Sequence, residues 1–184
     1  MRVVPILELS ADQQAHVRQL RNQPDVRKFM YTDHEISEAE HLKWLDALRA
    51  SSRQQVFVIV MEADPVGVVS LSAINATHGT ADWAFYLDTT LQGKGLGSQV
   101  ELWMLDYAFG AAGLEKLNCE VLEINPAVIR MHQKFGFVIE GVRREHIVRD
   151  GKRINAVLLG ITKNEWLAQR PKVLSAVERI AGRR

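Results

Sequence analysis

One short loop decides how this sequence is expected to fold: Gln92-Gly93-Lys94-Gly95-Leu96-Gly97. It joins a predicted strand over 81–88 to a predicted helix. Apolar side chains recur in that helix at helical spacing, at Leu96, Val100, Trp103 and Tyr107. The first N–H groups of a helix have no internal partners, and glycines let a backbone approach a phosphate without side-chain collision. From these residues alone, an anion-binding loop and a plain tight turn both remain open.

Two common phosphate loops do not fit this stretch. A P-loop needs Gly, four residues and then Gly-Lys-Ser/Thr, which the segment from Gly93 to Ser98 does not supply. The dinucleotide fingerprint requires a glycine where the chain has Ser98, and it opens its domain, whereas this loop lies past the midpoint of the chain. A different kind of glycine loop is therefore indicated.

Helix signals flank this central region. Capping boxes at Ser10/Gln13, Ser37/Glu40 and Thr162/Glu165 predict three helix starts, the first helix covering about 11–22. After the second box, one apolar face is predicted from Leu42, Leu45 and Leu48. A further helix is predicted to begin at Asn125-Pro126, with Asn125 as its N-cap, and to end at Gly136.

The sequence between these predicted helices has the pattern of β-strands. Strands are predicted over 2–9, 55–61, 66–74, 81–88 and 117–124, with a turn at Ala63-Asp64-Pro65 and a type I′ hairpin at Asp150-Gly151. Pro5 indicates an edge position or a bulge. The resulting order, β-α-α-β-β-β-α-β-α-β-β-α, predicts an α/β protein of the α+β type with a mixed sheet covered by helices.

The bulk composition is that of a soluble globular protein, with no strong field that indicates nucleic acid or an anionic membrane as partner. The 184 residues are 47% hydrophobic and 24% charged, and the net charge is +1. A single cysteine, Cys119, excludes an internal disulfide, and no Cys/His cluster indicates a metal site. We expect no signal peptide, no membrane span and a cytoplasmic location. One domain over 1–170 is predicted, with 171–184 as its helical extension and a possible homodimer surface.

The loop and a second element together resemble a known superfamily. Gln92, Gly95 and Gly97 fit the Gln/Arg-x-x-Gly-x-Gly/Ala pattern of the GNAT acetyltransferases. The segment from Asn125 to Phe137 resembles their Asn-x-x-Ala-x-x-x-Tyr-x-Lys-x-Gly-Phe element, with His132 where tyrosine is common. This resemblance implies a mostly antiparallel sheet with helices on both faces and acetyl-CoA as co-substrate, without a metal. It also implies a set of cofactor-binding residues: Tyr86, Leu87, Gln92, Gly93, Lys94, Gly95, Leu96, Gly97, Ser98, Asn125 and Lys134.

The N-terminal third is similar to a narrower group, the bacterial UDP-amino-sugar N-acetyltransferases of pseudaminic-acid synthesis, which serve the glycosylation of flagellin. That resemblance rests on Arg21-Asn22, on the run from Val26 to His34 and on Glu40-His41-Leu42. It implies acetylation of the 4-amino group of UDP-4-amino-4,6-dideoxy-N-acetyl-β-L-altrosamine. The acceptor-binding residues predicted on this basis are Arg21, Arg27, Met30, Tyr31, His34 and His41. Arg21 and Arg27, with Lys28, are suited to phosphate.

Direct attack of an amine on a thioester, which the resemblance implies, requires an oxyanion donor and a proton source for the thiolate. The backbone N–H near Leu87 is the predicted donor and His132 the predicted acid. A surface or half-buried histidine without a catalytic role, on the helix from Asn125 to Phe135, is an equal alternative for His132. Glu123, near the end of the strand over 117–124 and next to the expected cleft, is a candidate base, with Asp82 and His34 as alternatives. A water-mediated base, or no base if the amine is partly neutral, also stays open.

Two other functions stay open at this point. An acetyltransferase for a polyamine or a protein N-terminus would keep the fold and the co-substrate but change the acceptor. A CoA-binding module without turnover would keep only the loop. The basic character of residues 21–31 favours a phosphate-bearing acceptor over a polyamine.

Overall fold

The computed structural model describes residues 1–91 and 93–182. Within these ranges, seven strands and six α-helices follow one another along the chain. They are β1 (Arg2–Pro5), α1 (Ala11–Asn22), α2 (Pro24–Arg27), α3 (Glu38–Arg49), β2 (Gln55–Met61), β3 (Asp64–Asn75), β4 (Thr80–Leu87), α4 (Leu96–Phe109), β5 (Lys116–Leu122), α5 (Pro126–Phe135), β6 (Val138–Arg149), β7 (Lys152–Thr162) and α6 (Lys163–Ala181).

The strands form a mixed sheet in the order β1-β2-β3-β4-β5-β7-β6. The pairs β1–β2, β2–β3, β5–β7 and β6–β7 are antiparallel, whereas β4 and β5 are parallel. Parallel pairing of β4 with β5 joins Thr80–Asp82 to 116–118. The predicted fold class, an α/β protein with a mostly antiparallel sheet, is confirmed.

The chain divides into two compact units, the first made of residues 1–74 and the end of β4 from Trp83. Its core packs α1 and α3 against β2 and β3. The buried members are Ile6, Val17, Leu45, Leu48, Val56, Val58, Val60 and Val68. Removing such apolar area from water contributes about 25 cal/mol per Å².

The second unit contains residues 75–82 and the chain from Gly93 onward. Here α4, α5 and α6 contact one another, and β5, β7 and β6 form the strand layer. Asp106 on α4 accepts hydrogen bonds from Trp166 Nε1 at 3.1 Å and from Arg170 Nε at 2.7 Å, both on α6. Trp166 is buried, so this carboxylate satisfies its indole N–H and fixes α6 on α4.

Local signals in the sequence are confirmed at the element ends. All three capping boxes form, at Ser10/Gln13, Ser37/Glu40 and Thr162/Glu165. Asp150 and Gly151 both have positive φ, 51° and 74°, as a type I′ turn requires.

Several predicted details are wrong. The first strand ends at Pro5, and Ile6–Glu8 forms a 3₁₀ turn. The first hairpin turns at Glu62 and Ala63, because Met61 pairs with Asp64 and Pro65 already pairs with Val60. A register irregularity between Ile59 and Val60 accommodates the proline in the strand.

Two predicted apolar faces also differ from the structure. Leu42 is 53% exposed, and His41 is buried with Leu45 and Leu48 instead. On α4 the buried face is formed by Leu96, Val100, Met104, Leu105 and Ala108, while Trp103 and Tyr107 are partly exposed and stack on each other. Residues 171–181 are no separate helix, since α6 continues through Pro171.

Candidate active site

The glycine loop has the backbone conformation that glycine alone adopts easily. Gly93 and Gly95 have φ values of 75° and 70°, in the left-handed region. Gly95 is the N-cap of α4 and offers no side chain to the N–H groups of the first turn. These donors and the helix dipole favour an anion there. Lys94 is exposed, and Leu96 anchors the turn in the core. Gln92, the first residue of the predicted motif, lies outside the described residues.

The second predicted element forms α5. Pro126 occupies its first turn, and Gly136 ends it with a φ of 105°. Asn125 stands at the N-cap position as predicted, but its side chain makes no capping hydrogen bond. The expectation that this side chain caps the helix is therefore wrong. Lys134 is exposed, and its carbonyl oxygen accepts a hydrogen bond from Gln169 Nε2 at 3.5 Å.

His132 lies in the interior of the second unit. It is 3% exposed, and its Nδ1 lies 2.8 Å from Oε1 of Glu101, a fully buried residue of α4. The His132 ring also packs on Phe137, with ring centroids 5.3 Å apart. The sequence alternative of a surface or half-buried histidine is wrong. Burial raises the pKa of Glu101, and the charge of His132 opposes that rise.

Glu123 makes a defined contact just after β5. Its Oε1 accepts from Asn155 N at 2.8 Å and its Oε2 from Asn155 Nδ2 at 2.9 Å. Both carboxylate oxygens thus fix the end of β5 to β7, which favours a positioning role for Glu123 over that of a base. Asp82, the alternative base, accepts from Asn118 Nδ2 at 3.3 Å.

A cavity of about 390 Å³ opens in the first unit. Its walls come from α1, α3, β2, β3 and the end of β4. The polar lining comprises Arg18, Arg21, Thr32, Glu40, His41, Gln54, Ser70, Ser72 and Tyr86, and the apolar lining comprises Val17, Ile36, Trp44, Val56, Val68 and Leu71. Such a cleft, mostly apolar with a few convergent polar groups, is typical of a small-molecule site.

Electrostatics in this cavity are dominated by its two arginines. Arg18 Nη1 donates to Ile36 O at 3.3 Å, and Arg21 Nη2 donates to Thr32 O at 2.9 Å. Burial lowers the pKa of His41, a hydrogen bond with the backbone of Gln14 opposes this, and the charge of Arg18 lowers it further. His41 Nε2 is buried and has no hydrogen-bond partner among the described residues. Burial also raises the pKa of the Tyr86 phenol.

The predicted acceptor residues are only partly brought together. Arg21 and His41 line the cavity, whereas Arg27, Met30, Tyr31 and His34 are not among its lining residues. Tyr31 is 48% exposed. His34 Nε2 lies 2.9 Å from Glu40 Oε1, next to the cavity rather than on its wall.

Other lining residues were missed by sequence reasoning. Arg18 lies one helical turn before Arg21 on α1, and that spacing was the available signal. Ser70 and Ser72 lie two positions apart on β3, as residues on the same face of a strand do. Tyr86, which was predicted as a cofactor contact, also lines the cavity.

Residues 1–91 and 93–182 contain no group of three or more His, Cys, Asp or Glu side chains that could hold a metal ion. No helix in these ranges is both long enough and apolar enough to span a membrane.

Comparison with known proteins places the chain in a family. Residues 5–138 match the Acetyltransferase (GNAT) domain. The spermidine N(1)-acetyltransferase of Escherichia coli K12 is 26% identical over 166 residues, which cover 90% of this chain and 89% of that protein. The acetyltransferase PseH of Campylobacter jejuni (strain 81-176) is 26% identical over 132 residues, 72% of this chain and 81% of that protein.

Solved structures share the fold. The spermidine N-acetyltransferase of Vibrio cholerae in complex with CoA and spermine superposes with a TM-score of 0.82 at 22% identity, covering 90% of this chain and 97% of that one. The family match spans most of the chain and includes both the glycine loop and α5. The chain belongs to the GNAT acetyltransferase domain family and is an acetyl-CoA-dependent N-acetyltransferase.

Proposed function

We propose that this enzyme acetylates the 4-amino group of a UDP-4-amino-4,6-dideoxy sugar. The observation that carries the proposal is the charge of the cavity in the first unit. Two guanidinium groups, of Arg18 and Arg21, line this cavity together with only one carboxylate among the described residues, that of Glu40. Arginine binds phosphate oxygens through bidentate hydrogen bonds, so the pair suits a diphosphate.

The remaining wall suits the rest of such an acceptor. Trp44 offers an aromatic surface, and Val56 and Val68 offer apolar contact for a deoxy carbon. His41 Nε2, which is buried and has no hydrogen-bond partner among the described residues, can form a hydrogen bond with a hydroxyl or an amine of the acceptor. Ser70 and Ser72 add hydroxyl groups that donate or accept.

The relatives support two acceptor classes. Similarity to PseH agrees with the resemblance to enzymes that acetylate UDP-amino sugars. Similarity to spermidine acetyltransferases favours a polyamine as the second candidate. A polyamine carries several positive charges at neutral pH, and two arginines on the cavity wall repel it, since like charges in a low-dielectric cleft interact strongly. For this reason the sugar is the first candidate.

Acetyl-CoA is assigned to the glycine loop and its neighbours. The N–H groups from Gly93 to Ser98, with Gln92 and Lys94, are proposed to hold the pyrophosphate at the N-terminus of α4. Asn125 and Lys134 are proposed contacts of the rest of the cofactor. Because the Asn125 side chain does not cap α5, its amide is available for that role.

The chemistry is amine attack on the thioester carbon. The neutral amine nitrogen forms the new C–N bond, and the carbonyl oxygen takes the negative charge, which the N–H of Leu87 is proposed to stabilise. When the C–S bond breaks, its electron pair stays on sulfur, and His132 is proposed to give that sulfur a proton. The amine proton leaves to water, and the products are an N-acetyl sugar and free CoA.

One assay tests the acceptor. The purified enzyme is incubated with acetyl-CoA and, separately, a UDP-4-amino-4,6-dideoxy sugar, the same sugar without UDP, spermidine and an N-terminal peptide, while free thiol is measured. We expect the highest kcat/KM for the nucleotide sugar and a large loss when UDP is removed. Turnover of spermidine without turnover of any nucleotide sugar would select the polyamine instead. If none of these acceptors is turned over although acetyl-CoA binds, the proposed acceptor class is wrong.

A further inference from the structure

Glu101 and His132 form a buried ionisable pair between α4 and α5. Glu101 Oε1 lies 2.8 Å from His132 Nδ1, and the two side chains are 0% and 3% exposed. Glu101 lies in the second turn of α4, directly after the glycine loop that begins this helix. The pair therefore links the proposed cofactor loop to the residue proposed as the acid.

Stability alone is a weak explanation for this pair. Taking a carboxylate and an imidazole out of water costs free energy that their mutual attraction often fails to recover. A protein with apolar residues of similar volume in place of a buried ion pair is frequently just as stable. Glu101 Oε2 adds to the cost, because it is buried and finds no hydrogen-bond partner among the described residues.

The hydrogen bond determines which ring nitrogen faces Glu101. Nδ1 shares a proton with Oε1 of Glu101, so Nε2 is the ring nitrogen that the proposed acid step uses. Two arrangements contain the same number of protons, a carboxylate beside an imidazolium and a carboxylic acid beside a neutral imidazole. In both of them Nε2 carries a hydrogen.

Burial favours the state in which the pair holds this number of protons. Losing one more proton would leave a lone carboxylate in the interior, and burial raises the pKa of Glu101 for that reason. Among the described residues, the hydrogen bond and the charge of His132 oppose that rise. A proton kept on the pair leaves the interior without a lone negative charge.

We propose that Glu101 is a positioning residue that holds His132 with a proton on Nε2, ready for the sulfur of CoA. In the step, the C–S bond breaks, sulfur keeps the electron pair and takes the Nε2 proton, and Glu101 holds the Nδ1 proton throughout. A proton from water then restores the pair. This inference rests on the proposed role of His132 as the acid, and it holds for any acceptor amine.

Kinetics of Glu101→Gln test this role, because the amide keeps the shape and an acceptor oxygen but cannot carry the charge. We expect kcat to fall at least tenfold with KM for acetyl-CoA changed less than twofold, and the basic limb of the kcat–pH profile to move to lower pH. Asp106→Asn is the matched control, a structural carboxylate on the same helix, and we expect it to leave the pH profile unchanged. A folded Glu101→Gln enzyme with wild-type kcat and pH profile overturns the inference.

A second measurement needs no turnover. Nitrogen-15 NMR of labelled histidine reports which ring nitrogen of His132 is protonated, and Glu101→Gln is expected to change that state while Asp106→Asn does not. Identical His132 spectra in Glu101→Gln and the wild type overturn the inference.

A wild-type kcat in His132→Phe overturns both the acid role and this inference, whereas a wild-type kcat in Glu101→Gln alone overturns only the latter. If Glu101→Gln does not fold, Glu101→Asp, which withdraws the carboxylate by one methylene, is measured in the same way, and we expect losses in the same direction.

Discussion

Gly67 on β3 lies so close to Leu87 on β4 that a methyl group on its α-carbon would stand 2.5 Å from Leu87 Cδ2 and 2.6 Å from the Tyr86 carbonyl oxygen. A hydrogen bond from Asp88 N to Val66 O, at 2.8 Å, joins the same two segments. Because one of these contacts is with backbone, rotation of a side chain cannot relieve it. Gly67 therefore fixes where the proposed oxyanion donor, the N–H of Leu87, is held.

Gly67→Ala is expected to displace the end of β4. Overpacking of this kind costs about 1–3 kcal/mol of unfolding free energy, and the displaced N–H should also lower kcat. Chemical denaturation and steady-state kinetics measure both effects. Gly141→Ala on β6 is the control, since its new methyl group would meet only Leu158 Cδ1 at 3.7 Å, an ordinary contact. Equal stability and kcat in Gly67→Ala and the wild type would show that β4 accommodates the methyl group.

Charge and shape at the cofactor loop can be separated with Gly95→Asp and Gly95→Asn. Both residues enter the left-handed region more readily than other side chains, so both variants should keep the φ of 70°. We expect Asp to raise the Kd of CoA at least tenfold, roughly 1.4 kcal/mol, and more than Asn does, because only Asp repels the pyrophosphate. Titration calorimetry gives both constants. Wild-type affinity in the Asp variant would place the pyrophosphate elsewhere.

The fold was predictable wherever short-range chemistry determines it. The capping box at Ser37 and Glu40 needs only two side chains three residues apart, and the hairpin at Asp150-Gly151 needs only residues that accept positive φ. Prediction failed where tertiary contacts decide. Leu42 fits the apolar spacing of α3 as well as His41 does, yet the histidine is the buried one. Pro65 looks like a turn residue, yet a register irregularity accommodates it within β3, where Ile59 pairs with Gly67 and Val60 pairs with Pro65.

The candidate site was predictable only in part for the same reason. Glycine positions in the loop follow from local backbone requirements, and they can be read from the sequence. The pairing of Glu101 with His132 joins residues 31 positions apart on different helices, so no local pattern reveals it. Glu123 looked like a base beside a cleft, and only the fold shows that Asn155 engages both of its oxygens.

His132→Phe is expected to lower kcat by roughly 10²-fold and to change acetyl-CoA binding less, because it removes a proton donor but keeps a ring against Phe137. It also leaves the Glu101 carboxyl buried without its partner, which lowers stability. The double variant Glu101→Leu/His132→Phe should regain stability without regaining kcat. His78→Phe, at an exposed turn, is the control for the exchange itself. Thermal melting measures the stability of these variants, and steady-state kinetics measures their kcat. Recovery of kcat in the double variant would remove His132 from the mechanism.

Arg18→Gln tests the sign of charge in the cavity. We expect kcat/KM for a nucleotide sugar to fall at least tenfold, since a charge-assisted hydrogen bond to phosphate contributes about 1.5–3 kcal/mol. For spermidine the same change should leave kcat/KM equal or raise it, because a repulsive charge is removed. Arg49→Gln is the control, as Arg49 is exposed at the end of α3 and pairs with Asp46. Unchanged kcat/KM for the nucleotide sugar in Arg18→Gln would contradict phosphate recognition at this wall.

The stability of the first turn of α3 should depend on pH through Glu40. The same helix carries His41 into the cavity. Hydrogen bonds from Ser37 N, Ser37 Oγ and His34 lower the pKa of Glu40 from 4.5 to about 2. A carboxyl group with a lowered folded-state pKa stabilises the fold fully above its unfolded value, and this contribution is lost as the pH falls from about 4.5 towards 2. Glu40→Gln retains the acceptor oxygen of the capping box but not the charge, so it should lower Tm at pH 7 and have progressively less effect below pH 4.5. Thermal melts between pH 2.5 and 7 measure the difference, with Glu38→Gln in the same helical turn as the control. A difference in Tm that stays constant across this range would mean that the Ser37 contacts act through shape and not through the charge of Glu40.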